Sequence, residues 1–272
     1  VEGGPSGDGG AGGSDVVQEW GVVKGSLRQR LVIPAVARSA GVGGAFWKSD
    51  LLLRNPGSEP LRVDLRFVPG GGGPAHEASL ALGPLEIRVV PDVLATLFPV
   101  PFGSGALFLT PEGTRVVTAT SRTYTTAPEG TYGMSLGAFD LFAAASVRFP
   151  HSFAGALPGA GYRTNVGGVD VAGRGAEVAL RLAAESGWAG RSDLAFQAPP
   201  GGSKQVDGLA SLAGVEPWRA GALEYAPARG EVVPFVTSID EKTNDPTAWR
   251  PDLPASAMRA IPALVHADGR NG

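Results

Sequence analysis

The sequence predicts an all-β protein: two tandem, divergent immunoglobulin-like or β-sandwich units of about seven short strands each. Three observations carry this. Gly (41) and Pro (23) are abundant and scattered through 272 residues without a G-x-y period, which suits many tight turns and excludes collagen. Stretches such as "LRVDLRF" alternate strictly, placing Leu61, Val63, Leu65 and Phe67 on one face of a strand. Long amphipathic helical patterns are missing, so an α/β enzyme fold is not expected.

In order, strands are expected at "RLVIPAV", "WKSDLLLRN", "LRVDLRFVP", "HEASLAL", "LEIRVVP", "GALFLT" and "RVVTATSRTY". "NPGSEP" reads as a turn, with Pro56 and Gly57 supplying fixed and permissive φ. The helical candidates are "DVLATLF" and "DGLASLAG", each with an Asp placed to cap its first turn. The pattern then recurs about 115 residues on. "AFWKSDLLLRNPGSEPLRVDLRFVP" (Ala45 to Pro69) answers "AGYRTNVGGVDVAGRGAEVALRLAA" (Ala160 to Ala184), pairing Trp47 with Tyr162 and Asp50 with Asn165. "RVVTATSRTY" answers "EVVPFVTSID". The expected organisation is a Gly-rich leader at 1–28, unit one at 29–133, a linker or crossover at 134–144, unit two at 145–250, and a C-terminal segment at 251–272. That last segment contains "IPALVH", Ile261, Pro262, Ala263, Leu264, Val265 and His266, which replays Ile33-Pro34-Ala35 of the first strand. It is expected to pair as an extra strand, within its own chain or on a neighbouring copy.

Composition narrows the functional classes. The net charge is -3 and only 18% of residues are charged, with no basic stripe, so nucleic acid is not expected as a partner. Cysteine is absent, which removes disulfides and cysteinyl metal sites. No apolar run reaches eighteen residues, so no membrane span is expected. The leader "VEGGPSGDGGAGGS", starting at Val, is consistent with a processed secreted protein.

The motifs favour architecture over chemistry. Three histidines stand in separate segments without zinc spacing, so no metal or cofactor is expected. "GMSLG" (Gly133 to Gly137) spells a hydrolase elbow but lacks the strand-to-helix context. The Asp50/Asn165 exchange suggests a shared structural role, since both side chains offer an oxygen to backbone N–H groups. "DEKTNDPT" (Asp240 to Thr247) reads as an Asp-rich turn, not a calcium loop. Trp47 and Tyr162, each before an apolar strand, are expected in the core. Trp188, in the polar stretch "ESGWAGR", and Trp249 are the candidate exposed aromatics for stacking sugar rings.

The string "IPAVARSAGVGGAFWKSDLLLRNPGSEPLRVDLRFVP" resembles a module recurring in large secreted and surface-exposed bacterial proteins, written "IPA-x-A-H-x-x-G-x-x-G-x-x-W-R-T-D-L-x-L-x-N-P-G". "YRTNVGGVD" (Tyr162 to Asp170) is similar to its companion "F-R-T-N-L-G-x-V-N", and "SIDEKTNDPTAWRPDLPA" (Ser238 to Ala255) to its usual ending. The chain departs from the pattern at Arg38, Lys48 and Ser49, where His, Arg and Thr are usual. The resemblance covers nearly everything from Arg30 to Ala263 and implies architecture and an extracellular or cell-surface location, with no catalytic site. The expected function is that of a non-enzymatic structural subunit of a surface layer, fibre or adhesive assembly, partnered by itself or by other cell-surface proteins. The alternative is a carbohydrate-binding or accessory module whose partner is a polysaccharide.

Overall fold

The alternation of "LRVDLRF" is realised as a strand whose odd-numbered residues are buried and whose even-numbered residues face water up to Phe67. Strands of this kind make up nearly all of the structure, a computed structural model that describes residues 28–128, 130–141, 144–146, 150–157, 159–184, 187–189, 194–213 and 221–251. The fold is all-β, with antiparallel sheets arranged in a sandwich-like manner.

The first half comprises β1 (Leu31–Ala40), β2 (Phe46–Arg54), β3 (Leu61–Pro69), β4 (His76–Leu82), β5 (Ile87–Val90), β6 (Gly103–Pro111), β7 (Thr118–Ala127), β8 (Gly130–Gly137) and β9 (Phe139–Asp140), with the short helix α1 (Val93–Leu97) after β5. They form one hydrogen-bonded sheet in the order β4-β3-β6-β1-β2-β7-β8, with β5 on β2 and β9 on β1. The sheet bends at β1, which pairs with β6 along most of its length and with β2 only at Arg38 to Ala40. A bulge between Ile33 and Val36 marks the bend, as an extra residue kinks and twists a strand. Between the two wings lies a core including Ile33, Leu51, Leu53, Leu65, Phe67 and Leu107.

The second half comprises β10 (Ala145–Ser146), β11 (His151–Leu157), β12 (Tyr162–Asp170), β13 (Ala176–Ala184), β14 (Gly187–Ala189), β15 (Ala195–Ala198), β16 (Ser203–Val206), α2 (Leu209–Ala213), β17 (Gly221–Arg229), β18 (Glu231–Asp240) and β19 (Pro246–Trp249). Its pairing repeats that of the first half. β12 lies between β16 and β18 as β2 lies between β5 and β7, and β13 pairs with β17 as β3 pairs with β6. β11 pairs with β17 across a register shift, as β1 does with β6. Here the two wings are separate five-stranded sheets around a second core that includes Phe153, Val166, Leu180, Leu182 and Tyr225.

A third apolar cluster joins the halves. Val32 and Ala106 meet Val169 and Val233, with Phe108, Phe139 and Val171 packed around them. Leu31 and Ile33 belong to the first core while Val32 faces the second half. This is why "RLVIPAV" and "EVVPFV" read as unbroken apolar runs: strands covered on both faces need apolar residues at both parities.

All seven strands expected in the first half are present. The eighth, β8, begins inside the expected first unit and runs on through residues 134–137, the start of the stretch expected as a linker. Its glycines are compatible with a strand because Tyr124 lies opposite Gly133, so close that a Cβ there would stand 2.6 Å from the Tyr124 Cβ. "ESGWAGR", read as a polar turn, contributes the short strand β14, with Trp188 opposite Ala183. The leader at 1–27 and the segment from Asp252 to Gly272, including Ile261 to His266, lie outside the described residues.

His151 starts β11 buried at 4% exposure, and its Nδ1 has no partner among the described residues. Burial depresses its pKa, because the charged imidazolium loses hydration there. The unfolded chain therefore binds a proton that the folded chain resists. Stability from this residue is complete above the ordinary histidine range and is lost as pH falls through it towards the depressed folded value. His151→Phe is expected to flatten the fall in melting temperature between pH 7 and 5. An equally steep fall in that variant would remove His151 as its cause.

Candidate functional site

The residues that the repeat and the family resemblance single out are engaged first in holding the strands together. Ser49 and Thr164 occupy the same place in β2 and β12. The Ser49 Oγ accepts from the Ala37 N–H at 2.8 Å and shares a 2.6 Å hydrogen bond with the Thr123 hydroxyl. Thr164 donates to the Ala156 carbonyl at 2.9 Å and stands 3.3 Å from the Ser238 hydroxyl. In the first half Ser49, braced by Thr123, reaches the backbone of β1; in the second half Thr164 and Ser238 both donate to the Ala156 carbonyl, which lies in the register shift of β11 and so outside the regular ladder.

One residue on, Asp50 Oδ1 accepts from the Asp92 N–H at 2.9 Å, and Asn165 Oδ1 accepts from the Gly208 N–H at 3.1 Å. Asp92 and Gly208 are the residues immediately before α1 and α2, and both have left-handed φ, 43° and 62°. The acceptor role expected from the Asp/Asn exchange is thus what the geometry displays. The expected N-cap is corrected: the Asp92 side chain makes no cap bond to α1. Its Oδ2 accepts from Arg38 Nε at 3.0 Å instead. Asp207 accepts from Gln205 Nε2, which leaves Gly208 at the helix start.

The strand ends form a third repeated pair. Asn55 is 2% exposed, donating from Nδ2 to the carbonyls of Glu59 and Gly83 and accepting from the Gly57 N–H. Asp170 is fully buried and accepts from the N–H groups of Ala172, Gly175 and Gly201.

Outward from this framework, the face of β1, β2 and β7 carries a charged and aromatic cluster. Arg38, held by Asp92 and the Pro101 carbonyl, lies over the Phe46 ring at 5.2 Å. Tyr124 sits between Lys48 and Arg122, 5.2 and 4.8 Å from its ring, and its hydroxyl is 3.4 Å from Asp50 Oδ1. Phe46 and Phe102 meet edge to face at 6.0 Å and remain 37% and 68% exposed. Asp92 Oδ1 is buried without a hydrogen-bond partner among the described residues. Sequence reasoning missed both phenylalanines. The available signal was Phe46, an apolar ring sharing the solvent-facing parity of Lys48 and Asp50.

Farther along the same face the surface becomes apolar. Leu52 lies opposite Val89 on the edge strand β5. Leu52, Leu85, Ile87 and Val89 are 44%, 62%, 61% and 57% exposed.

A groove of about 760 Å³ also runs between the halves, over Phe108 and Leu141. Its walls mix Arg30, Arg62 and Arg66 with Asp64 and Glu77. Asp64 is held below the usual carboxylate range, first by the Ser79 hydroxyl and then by Arg62, so part of this charge is already internally matched.

The other residues singled out by sequence take different places. Trp47 is half-buried over Gly41, and Tyr162 is 43% exposed, so neither belongs to a core. Both share the inward parity of their strands but stand beyond the edge of the packed region. Trp249 packs against the second core and donates its indole N–H to Ser238 at 2.8 Å. Ser135 of "GMSLG" is exposed in the middle of β8, not on an elbow. In the Asp240 turn the carboxylate accepts from the N–H groups of Lys242 and Thr243. Among the described residues no three of His, Asp or Glu converge as a metal site.

No family model matches the chain, and no curated protein matches it. A solved structure, "Crystal Structure of Thermotoga maritima 1070", aligns with 41% of this chain and 93% of its own at 11% identity and a TM-score of 0.34. No helix among the described residues is long and apolar enough to cross a membrane.

Proposed function

We propose that the chain is a non-enzymatic, extracellular structural subunit, a tandem pair of sandwich units that self-associates in a surface layer, fibre or adhesive assembly. The observation that carries this reading is the apolar edge formed by Leu52, Leu85, Ile87 and Val89. Among the described residues β5 pairs only with β2, which leaves the backbone donors and acceptors of its other side without a strand partner there. Proteins commonly blunt such an edge with charge or proline; here two of its four residues are Ile87 and Val89, more than half exposed. Leu85, just before it, holds φ at 57°, outside the comfortable range for a side-chain-bearing residue. The polar motif residues support the same reading, because Ser49, Thr164, Asn55 and Asp170 are occupied with their own backbone. The strand we assign to this edge is Ile261 to His266 of a neighbouring copy, which repeats the opening of β1.

Light scattering tests the assignment. The full chain is expected to show a mass that rises with concentration. Ile87→Lys with Val89→Lys, or deletion of Ile261 to Gly272, is expected to leave monomers with an unchanged thermal melt. A wild-type chain that stays monomeric at every concentration would overturn the proposal.

A further inference from the structure

We propose that the face built from Arg38, Asp50, Asp92 and Tyr124, walled by Phe46 and Phe102, is a binding site for a neutral polysaccharide. The sugar-binding alternative read from the sequence rested on Trp188 and Trp249; this site uses other residues and is independent of self-association through β5.

The two halves of the chain provide an internal comparison. In both, an oxygen on the central strand must hold the N–H of a left-handed residue before a short helix. The second half does this with Asn165 and Gly208 alone. Glycine adopts that φ without steric cost. The first half places Asp92 there at φ 43°, where a side chain is strained, and leaves its Oδ1 buried and unpartnered among the described residues. Strain and an unpaired buried acceptor are both unfavourable, and neither is needed for the fold, since the second half dispenses with them.

The surrounding residues differ in the same sense. The register that sets Asp50 against Arg122 sets Asn165 against Thr237. By the same offset, Phe46, Arg122 and Tyr124 of the first half correspond to Gly161, Thr237 and Ile239 of the second. The aromatic, cationic and hydroxyl groups are therefore added to a shared frame. They are also held in place: Arg38 by Asp92 and the Pro101 carbonyl, and Tyr124 between two cations and Asp50.

The ligand class follows from the groups presented. Exposed rings at Phe46 and Phe102 offer apolar faces for the C–H side of a pyranose. Beside them lie acceptors, the Asp50 carboxylate and the Tyr124 hydroxyl oxygen, whose hydrogen goes to Asp50, and a donor, the Arg38 guanidinium. Vicinal sugar hydroxyls both donate and accept, so they can meet both kinds of group, while Asp92 acts by holding Arg38 in place. Arg38 is paired with Asp92, and Asp50 lies opposite Arg122 and next to Lys48 along the same face, so carboxylates and cations are interspersed. This local matching favours a neutral chain over an acidic one.

Affinity electrophoresis of the full chain tests the site, using gels containing hydroxyethylcellulose, xylan, glucomannan or mixed-linkage β-glucan, with polygalacturonate as the acidic comparison. Retardation is expected in at least one neutral gel. Phe102→Ala and Asp92→Gly should each weaken it at least tenfold. Asp92→Gly should also melt at or above the wild-type temperature, because it removes the strained φ and the unpaired oxygen. A lower melting temperature with unchanged retardation would make Asp92 a structural residue and overturn the proposal. So would retardation by polygalacturonate alone, abolished by salt, or no retardation in any gel.

Discussion

Gly168→Ala is expected to destabilise the protein by about 3 kcal/mol, towards the upper end of what overpacking a core costs. A Cβ at this position of β12 would stand 2.0 Å from the Tyr225 hydroxyl oxygen and 2.4 Å from Val232 Cγ1. Tyr225 is fully buried between Phe153 and Phe196, whose rings lie 6.4 and 5.9 Å away, so it has little room to withdraw. Its hydroxyl has no partner among the described residues, and burial holds it well above the usual phenol range. Removing that oxygen therefore sacrifices no hydrogen bond among the described residues. Tyr225→Phe alone is expected to be neutral or stabilising, as deletion of an unsatisfied buried polar group usually is. In the Gly168→Ala background the same change should recover about 1 kcal/mol or more, because it deletes the nearest clashing atom. Urea melts of the four proteins form a double-mutant cycle. Simple additivity would show that the alanine strains β12 elsewhere.

The strand pattern was legible because β3 and its relatives bury one face, and period two records that directly in Leu61, Val63, Leu65 and Phe67. The acceptor role of Asp50 and Asn165 was legible for a different reason: the only property the two share at a repeated position is a side-chain oxygen. Trp47 and Tyr162 misled because parity fixes the direction of a side chain, not how far along the strand the core extends. Ser49 and Thr164 already mark the polar margin of the packed region, and the aromatics lie one step beyond it. Asp92 misled because an Asp before a helical turn usually caps it; its positive φ turns the carboxylate to Arg38, and a linear sequence does not display φ. The junction through Val32, Ala106, Val169 and Val233 was visible only as apolar runs without alternation. Such runs report coverage on both faces but not which strands provide it. The cluster around Tyr124 is assembled from β1, β2, β7 and the segment around α1, so no single stretch of sequence contained it.

Asn55 and Asp170 should fail to replace one another, although they occupy the same place at the ends of β2 and β12. Each ties the turn after its strand to a second loop, but with opposite polarity. Asn55 accepts from the Gly57 N–H at 2.9 Å and donates to two carbonyls, those of Glu59 and Gly83, at 2.7 and 2.8 Å. Asp170 donates nothing: Oδ1 accepts from Ala172 at 3.2 Å, and Oδ2 from Gly175 and Gly201 at 2.9 and 2.8 Å. Asp170→Asn would keep two of these bonds at best and turn an amide N–H towards a backbone N–H. Asn55→Asp would set a carboxylate oxygen against two carbonyl oxygens in a site that is 2% exposed. Each substitution is expected to cost about 3 kcal/mol, from lost bonds to a charged or buried group and from partners left unpaired. The two should respond differently to acid. The carboxylate introduced at position 55 can donate to a carbonyl only when protonated, so folding raises its pKa. The stability available to that variant is present at low pH and is lost as pH rises through the raised value. Its deficit relative to wild type should therefore narrow between pH 7 and 4, while Asp170→Asn, which titrates no new group, should show no such gain from an introduced acid. Urea melts at both pH values separate these outcomes. A deficit below about 1 kcal/mol for either variant at pH 7 would mean that its turn finds other partners, and the polarity of the clamp would then not account for which amide or acid each half carries.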